Sequence, residues 1–144
     1  MTPTARRLAR EYALQAIYQW QLADTPAHEI EADFLTTQVK RKTDRAYFSE
    51  ILHTVIKQSA ALDTEIEVFL TDRKITELDP IELAILRISA HELLNRPDVP
   101  WRVIINESLE LTKKFGSTEG YKFVNGVLDK LARKLRPTET NTSS

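Results

Sequence analysis

Three arginines lie within one stretch near the start of the chain, Arg6, Arg7 and Arg10 in RRLAREYALQAIYQW. Guanidinium groups bind phosphates bidentately and stack on bases, so the chemistry on offer is the grip of a polyanion. On a helix turning ~100° per residue, Arg6 and Arg10 lie about 40° apart and Arg7 about 60° beyond Arg10. The three form one basic strip beside an apolar face of Ala9, Ala13 and Trp20, and Tyr18 extends its edge. A helix N-terminus already carries partial positive charge, and a cation there costs roughly 0.3–1 kcal/mol at low salt. Only Glu11 is near in sequence to offset it. Two readings stand: binding of RNA or DNA, or an exposed helix whose arginines answer the acids of residues 24–33.

Other constellations carry less. His28, His53 and His91 fall in three different predicted helices at no metal-ligand spacing, and His53 and His91 read as half-buried structural histidines. The carboxylate pairs Glu29/Asp33 and Glu107/Glu110 lack the Glu-x-x-His partners of a bundle metal site and read as solvated faces. There is no Cys, which excludes thiolate metal sites and thiol nucleophiles, and no phosphate loop or nucleophile elbow. No enzyme activity, metal or cofactor is expected. Lys130, Arg133, Lys134 and Arg136 sit in the last turns of a predicted helix, where cations suit the dipole. Lys40, Arg41, Lys42 and Arg45 fall in a predicted loop that suits solvent or phosphate. Asn106 and Asn125-Gly126 interrupt helical runs; close helix packing explains them, or a functional surface with Lys122 between Tyr121 and Phe123.

These residues need a helical frame, and the composition supplies one. The chain has 144 residues, 42% of them hydrophobic, only 3 Gly, and a net charge of −1. No apolar run reaches the ~20 residues of a membrane span, so a soluble, cytoplasmic protein is expected. Thr2-Pro3, Thr25-Pro26 and Asp79-Pro80 are helix starts, and Thr43 or Asp44 opens another. Gly116 reads as a left-handed helix terminus. The pattern predicts an all-α fold of six to seven helices in two small packed bundles. Their expected bounds are 1–78 and 79–136, with a waist near 71–79 and a disordered tail over 137–144.

RRLAREYALQAIYQW at Arg6–Trp20, LDPIELAILRISAHEL at Leu78–Leu93, VIINESLELTKKFG at Val103–Gly116 and YKFVNGVLDKL at Tyr121–Leu131 together resemble the bacterial NusB family of transcription antitermination factors. The resemblance covers residues 3–136. It implies binding of the boxA element of nascent ribosomal RNA jointly with the small-subunit ribosomal protein NusE, so that RNA polymerase reads through terminators. It also implies that Arg6, Arg7 and Arg10 lie on the RNA-binding motif, with Gln15 and Lys122 near the RNA path. Glu119 would hold an acidic position on that side, and Tyr18, Leu22 and Glu82 would meet the ribosomal protein. Leu8, where some relatives have another basic residue, and Gly120, just before the KF pair, depart from the pattern. A homodimer is compatible with the resemblance. The alternative is an RNA-binding or protein-interaction module like the helical domain of ribosomal-RNA cytosine methyltransferases. The absence of a Cys nucleophile and of a cofactor region favours the stand-alone factor.

Overall fold

The computed structural model describes residues 2–142. Among them there is no strand, and the helices run α1 (Pro3–Ala23), α2 (Ala27–Thr37), α3 (Arg45–Lys57), α4 (Ser59–Glu67), α5 (Pro80–Asn95), α6 (Trp101–Phe115), α7 (Thr118–Leu135) and α8 (Pro137–Thr142). A 3-10 turn at Ile75–Glu77 precedes α5. The eighth helix lies in the tail that was expected to be disordered. No helix among the described residues is long and apolar enough to cross a membrane.

The chain divides into two compact units between Ser59 and Ala60, earlier than the waist expected near residues 71–79. In the first unit α1, α2 and α3 pack on one another. Thr2 caps α1 by accepting from the Ala5 N–H, with Pro3 in the first turn where its missing donor costs nothing. Ala5, Ala9, Ala13 and Ala16 are small enough to bring α1 close against α3, whose Phe48, Ile51, Leu52 and Val55 are wholly buried. Asp44 caps α3 by accepting from the Tyr47 N–H. Burying each such large side chain contributes roughly 1.5–3 kcal/mol.

In the second unit α5 is the central helix, buried from Leu83 to Leu93, and it packs against α6 and α7. Asp79 accepts from the Ile81 and Glu82 N–H groups to start it. Arg87 donates two hydrogen bonds, at 2.8 and 2.7 Å, to the Asp63 carboxylate of α4. Gly116 ends α6, but at φ −106° rather than in the left-handed region. Its role is close approach: a Cβ there would sit 2.9 Å from the Thr112 carbonyl oxygen. The left-handed positions belong to aspartates, Asp24 at φ 55° and Asp72 at φ 56°.

Candidate nucleic-acid interface

The three arginines of α1 do not share one environment. Arg7 is exposed, Arg6 is half-buried, and Arg10 is only 3% exposed. The reason is Tyr47 of α3, itself buried, whose ring lies 4.4 Å from the Arg6 guanidinium and 5.4 Å from that of Arg10. Cation–π contacts of this kind are worth roughly 0.5–2 kcal/mol, the more so when desolvated. Arg6 also stands 3.8 Å from the Asp44 carboxylate. For Arg6 the answering charge is therefore Asp44, which lies outside the acids of residues 24–33. Asp44 is placed by its own N–H, which donates to the Ala5 carbonyl at 3.0 Å. Gln15, one turn beyond Glu11, is half-buried and donates its amide to the Glu11 carbonyl.

Further along α1, Tyr18 and Leu22 are 37% and 60% exposed, one turn apart on the same helix face. A leucine and a tyrosine left in solvent at this spacing form an apolar strip suited to a protein partner.

In the second unit, Glu82 is half-buried and its carboxyl faces the start of α7. A Cβ at Gly120 would lie 2.6 Å from Glu82 Oε2, which gives this glycine, unusual before the KF pair, a physical reason. Burial, then the neighbouring Asp79, push the Glu82 carboxyl above its ordinary value, with Arg73 opposing. Ser117 caps α7 by accepting from the Gly120 N–H, and Glu119 is exposed in the first turn, where its charge suits the dipole.

Lys122 is exposed and lies on two clefts. One, of about 440 Å³, also involves Lys113, Ser117 and Tyr121. The other, of about 250 Å³, is lined by Arg73, Phe123, Gly126 and Lys130 among others. Arg73 covers the Phe123 ring at 4.6 Å, and Lys113 stands 5.8 Å from the Tyr121 ring. Cations flanking rings beside a groove are what unstacked bases and phosphates need. Arg73 and Lys113 were not legible as members of this cluster, because separate helices and a loop bring them to α7. Asn106, Asn125 and Gly126 are exposed, and nothing lies within 4 Å of a Cβ built at Gly126. Close helix packing therefore does not explain the glycine, and all three residues lie at the surface.

The remaining candidates are structural. His91 is buried, with its Nδ1 in a 3.0 Å hydrogen bond to the Asn95 side chain. His53 is exposed rather than half-buried and pairs with Glu31 at 3.0 Å. A hydrogen bond from Ser49, then the neighbouring His53, holds the Glu31 carboxyl below its ordinary value. Among the described residues no group of acidic or histidine side chains could hold a metal ion.

A helical protein with exposed cations beside aromatic rings, and an apolar strip on the helix that carries its arginines, has the make-up of an adaptor for polyanions and proteins. The sequence profile of the NusB family matches residues 7–133, and the chain belongs to that family. It is 53% identical over 140 residues to the transcription antitermination protein NusB of Alcanivorax borkumensis, covering 97% of this chain and 93% of that one. With the NusB of Idiomarina loihiensis it shares 53% over 138 residues, 96% of this chain and 99% of that one. Among solved structures, T. maritima NusB superposes with TM-score 0.85 at 27% identity, covering 98% of both chains. A crystal structure of the antitermination factors NusB and NusE in complex with dsRNA matches with TM-score 0.80 at 26% identity, covering 92% of this chain and 99% of that one. Its relatives are antitermination proteins, not enzymes.

Proposed function

We propose that the protein binds a boxA-type single-stranded element of nascent ribosomal RNA together with the ribosomal protein NusE, and so helps RNA polymerase read through terminators. The observation that carries the RNA half is the exposed Arg7 beside a half-exposed Arg6, held over Tyr47 and Asp44. The similar NusB, seen with NusE and RNA, supports the pairing of partners. In this reading Arg6 and Arg7 contact phosphate, while Arg10 works from beneath by packing on Tyr47. Lys122, with Arg73 and Phe123, supplies a second contact region, and Gln15 and Glu119 border the RNA path. Tyr18, Leu22 and Glu82 face the ribosomal protein.

Two or three phosphate contacts predict a log–log salt slope of only about −2 on single-stranded RNA, which is weak anchoring. A second protein that extends the surface raises affinity without new chemistry in this chain. Titrating labelled boxA-type RNA with and without NusE is the direct test. Weak, salt-sensitive binding alone and at least tenfold tighter binding with the partner are expected; equal affinities would remove the cooperative mechanism. Leu22→Asp should abolish the gain from NusE and leave binding by the protein alone unchanged.

A further inference from the structure

The most concentrated charge of the first unit lies outside the proposed α1 contacts. Lys40, Arg41 and Lys42 are consecutive and exposed, and none has a carboxylate within salt-bridge distance among the described residues. They do not sit on a slack loop. The Thr43 N–H donates to the Lys40 carbonyl at 3.0 Å, closing a tight turn with Arg41 and Lys42 at its corner. Both shoulders are fixed. Val39, Thr43 and Asp44 are 8%, 1% and 8% exposed, and Arg45 donates to the Leu35 carbonyl at 2.8 Å. Three like charges at one corner repel one another, and an ordered turn denies them the freedom to separate.

The turn also has a definite address. Two residues after Lys42, the Asp44 N–H is bonded to the Ala5 carbonyl in the first turn of α1, the turn that carries Arg6 and Arg7. Neither α1 nor α3 has an acidic residue in its first turn. The one carboxylate at the junction, Asp44, is 8% exposed, caps α3 and lies beside Arg6, so it does not neutralise the turn.

From this geometry we infer that Lys40, Arg41 and Lys42 form a second phosphate-binding element, continuous with Arg6 and Arg7, that lengthens the RNA footprint on the first unit. The inference rests on the RNA-binding reading of α1 and adds to it a specific segment. Its ligand is the sugar–phosphate chain rather than a particular base, since the turn offers flexible cations and no aromatic platform. The added contacts should therefore strengthen binding with little sequence preference.

The test is RNA affinity of the full chain across a range of salt concentrations, using labelled single-stranded boxA-type RNA. Three proteins are compared with wild type: the triple variant K40Q/R41Q/K42Q, the charge-keeping variant K40R/K42R, and R7A. Circular dichroism checks that each is folded. Each phosphate contact contributes about 0.7 to the slope on single strands, so with this element the wild-type slope should steepen to about −4. The triple variant should fall back to about −2, the slope of the α1 contacts alone, and bind at least tenfold more weakly at low salt. The charge-keeping variant should match wild type, and a scrambled RNA should lose affinity in the same proportion as boxA-type RNA. An unchanged slope in the triple variant, with a reduced slope in R7A, would overturn the inference and leave the RNA reading intact. Unchanged slopes in both would remove the RNA reading and this extension with it.

Discussion

At the N-terminal end of the chain, Arg7 is exposed while Arg10, one turn on, is buried against Tyr47. At the C-terminal end, the basic cluster is almost entirely engaged within the protein. Arg136 uses every N–H of its guanidinium: Nε donates to the Leu93 carbonyl, Nη1 to Val99 and to Glu139, Nη2 to Glu92 and Arg96. Three of these acceptors are carbonyls of the last turn and cap of α5; those of Glu92 and Arg96 also accept from the Arg96 and Val99 N–H groups, so Arg136 adds a second bond to each. Lys134 pairs with Glu65 at 2.8 Å and Arg133 with Asp129 at 3.3 Å, leaving Lys130 on the groove beside Arg73. Clusters equally basic in sequence are thus put to different uses, and what separates them is burial. Arg136, set among the carbonyls of a helix end, is a structural clamp, whereas Arg7 stays exposed at the surface of α1.

Arg136→Ala should produce the largest effect. It removes a donor from four carbonyls and from the Glu139 carboxylate, and each acceptor left unsatisfied away from water costs roughly 1–3 kcal/mol. A fall in Tm of roughly 10 °C is expected by the usual size scaling. RNA affinity, measured below the transition, should stay at wild type. Loss of RNA binding in a folded Arg136→Ala protein would break the contrast between the two ends.

The next effect divides the arginines of α1. Arg10→Ala removes a buried stem and a cation–π partner and should destabilise by about 1–3 kcal/mol. Arg7→Ala should leave Tm nearly unchanged, as surface substitutions do, while weakening RNA binding several-fold. Thermal melts and RNA titration on both variants sharpen the comparison. Equal loss of RNA affinity with equal stability in both would mean that burial does not separate their roles.

A smaller effect concerns α8. Glu139 Oε2 accepts from the Trp101 N–H at 2.9 Å, capping α6 from the chain's last helix, and its other oxygen accepts from Arg136. The Trp101 N–H, then Arg136, holds the Glu139 carboxyl below its ordinary value of 4.5. A depressed carboxyl stabilises the fold above its ordinary value and loses that contribution as pH falls below 4.5 through the folded-state value. Glu139→Gln should therefore lower Tm modestly at pH 7 and flatten the acid limb of a Tm–pH profile. A steeper acid limb in the variant would contradict this sign.

Much of the helical frame is legible in the sequence because its signals are local. Proline at a first turn, Asp44 and Asp79 as caps, and the Tyr47–Phe48–Ile51–Leu52–Val55 stripe each depend on neighbours a few residues away. What could not be read depends on distant partners. Arg10 is buried because α3 brings Tyr47 to it, and the tail is helical although it lacks apolar residues. Its anchor is Glu139, 38 residues from the Trp101 N–H it accepts. The arginine strip was visible as charge, but its division into Arg7, Arg6 and Arg10 required the packing of a second helix.

The smallest expected effect tests whether the groove on α7 is functional or incidental. Gly126 sits inside a helix, is exposed, and has open space where a side chain would project. With no steric reason for glycine, Gly126→Ala should stabilise the protein by about 0.5–1 kcal/mol, the ordinary helix-propensity gain. The glycine lines the cleft with Arg73, Lys122, Phe123 and Lys130, so a larger side chain narrows the approach to those cations. Gly126→Leu should therefore keep most of the gain in stability yet weaken RNA binding several-fold, with Gly126→Ala between it and wild type. Matching affinities in all three proteins, with higher Tm in both variants, would mark the groove as surface without function and leave the RNA contacts to the first unit.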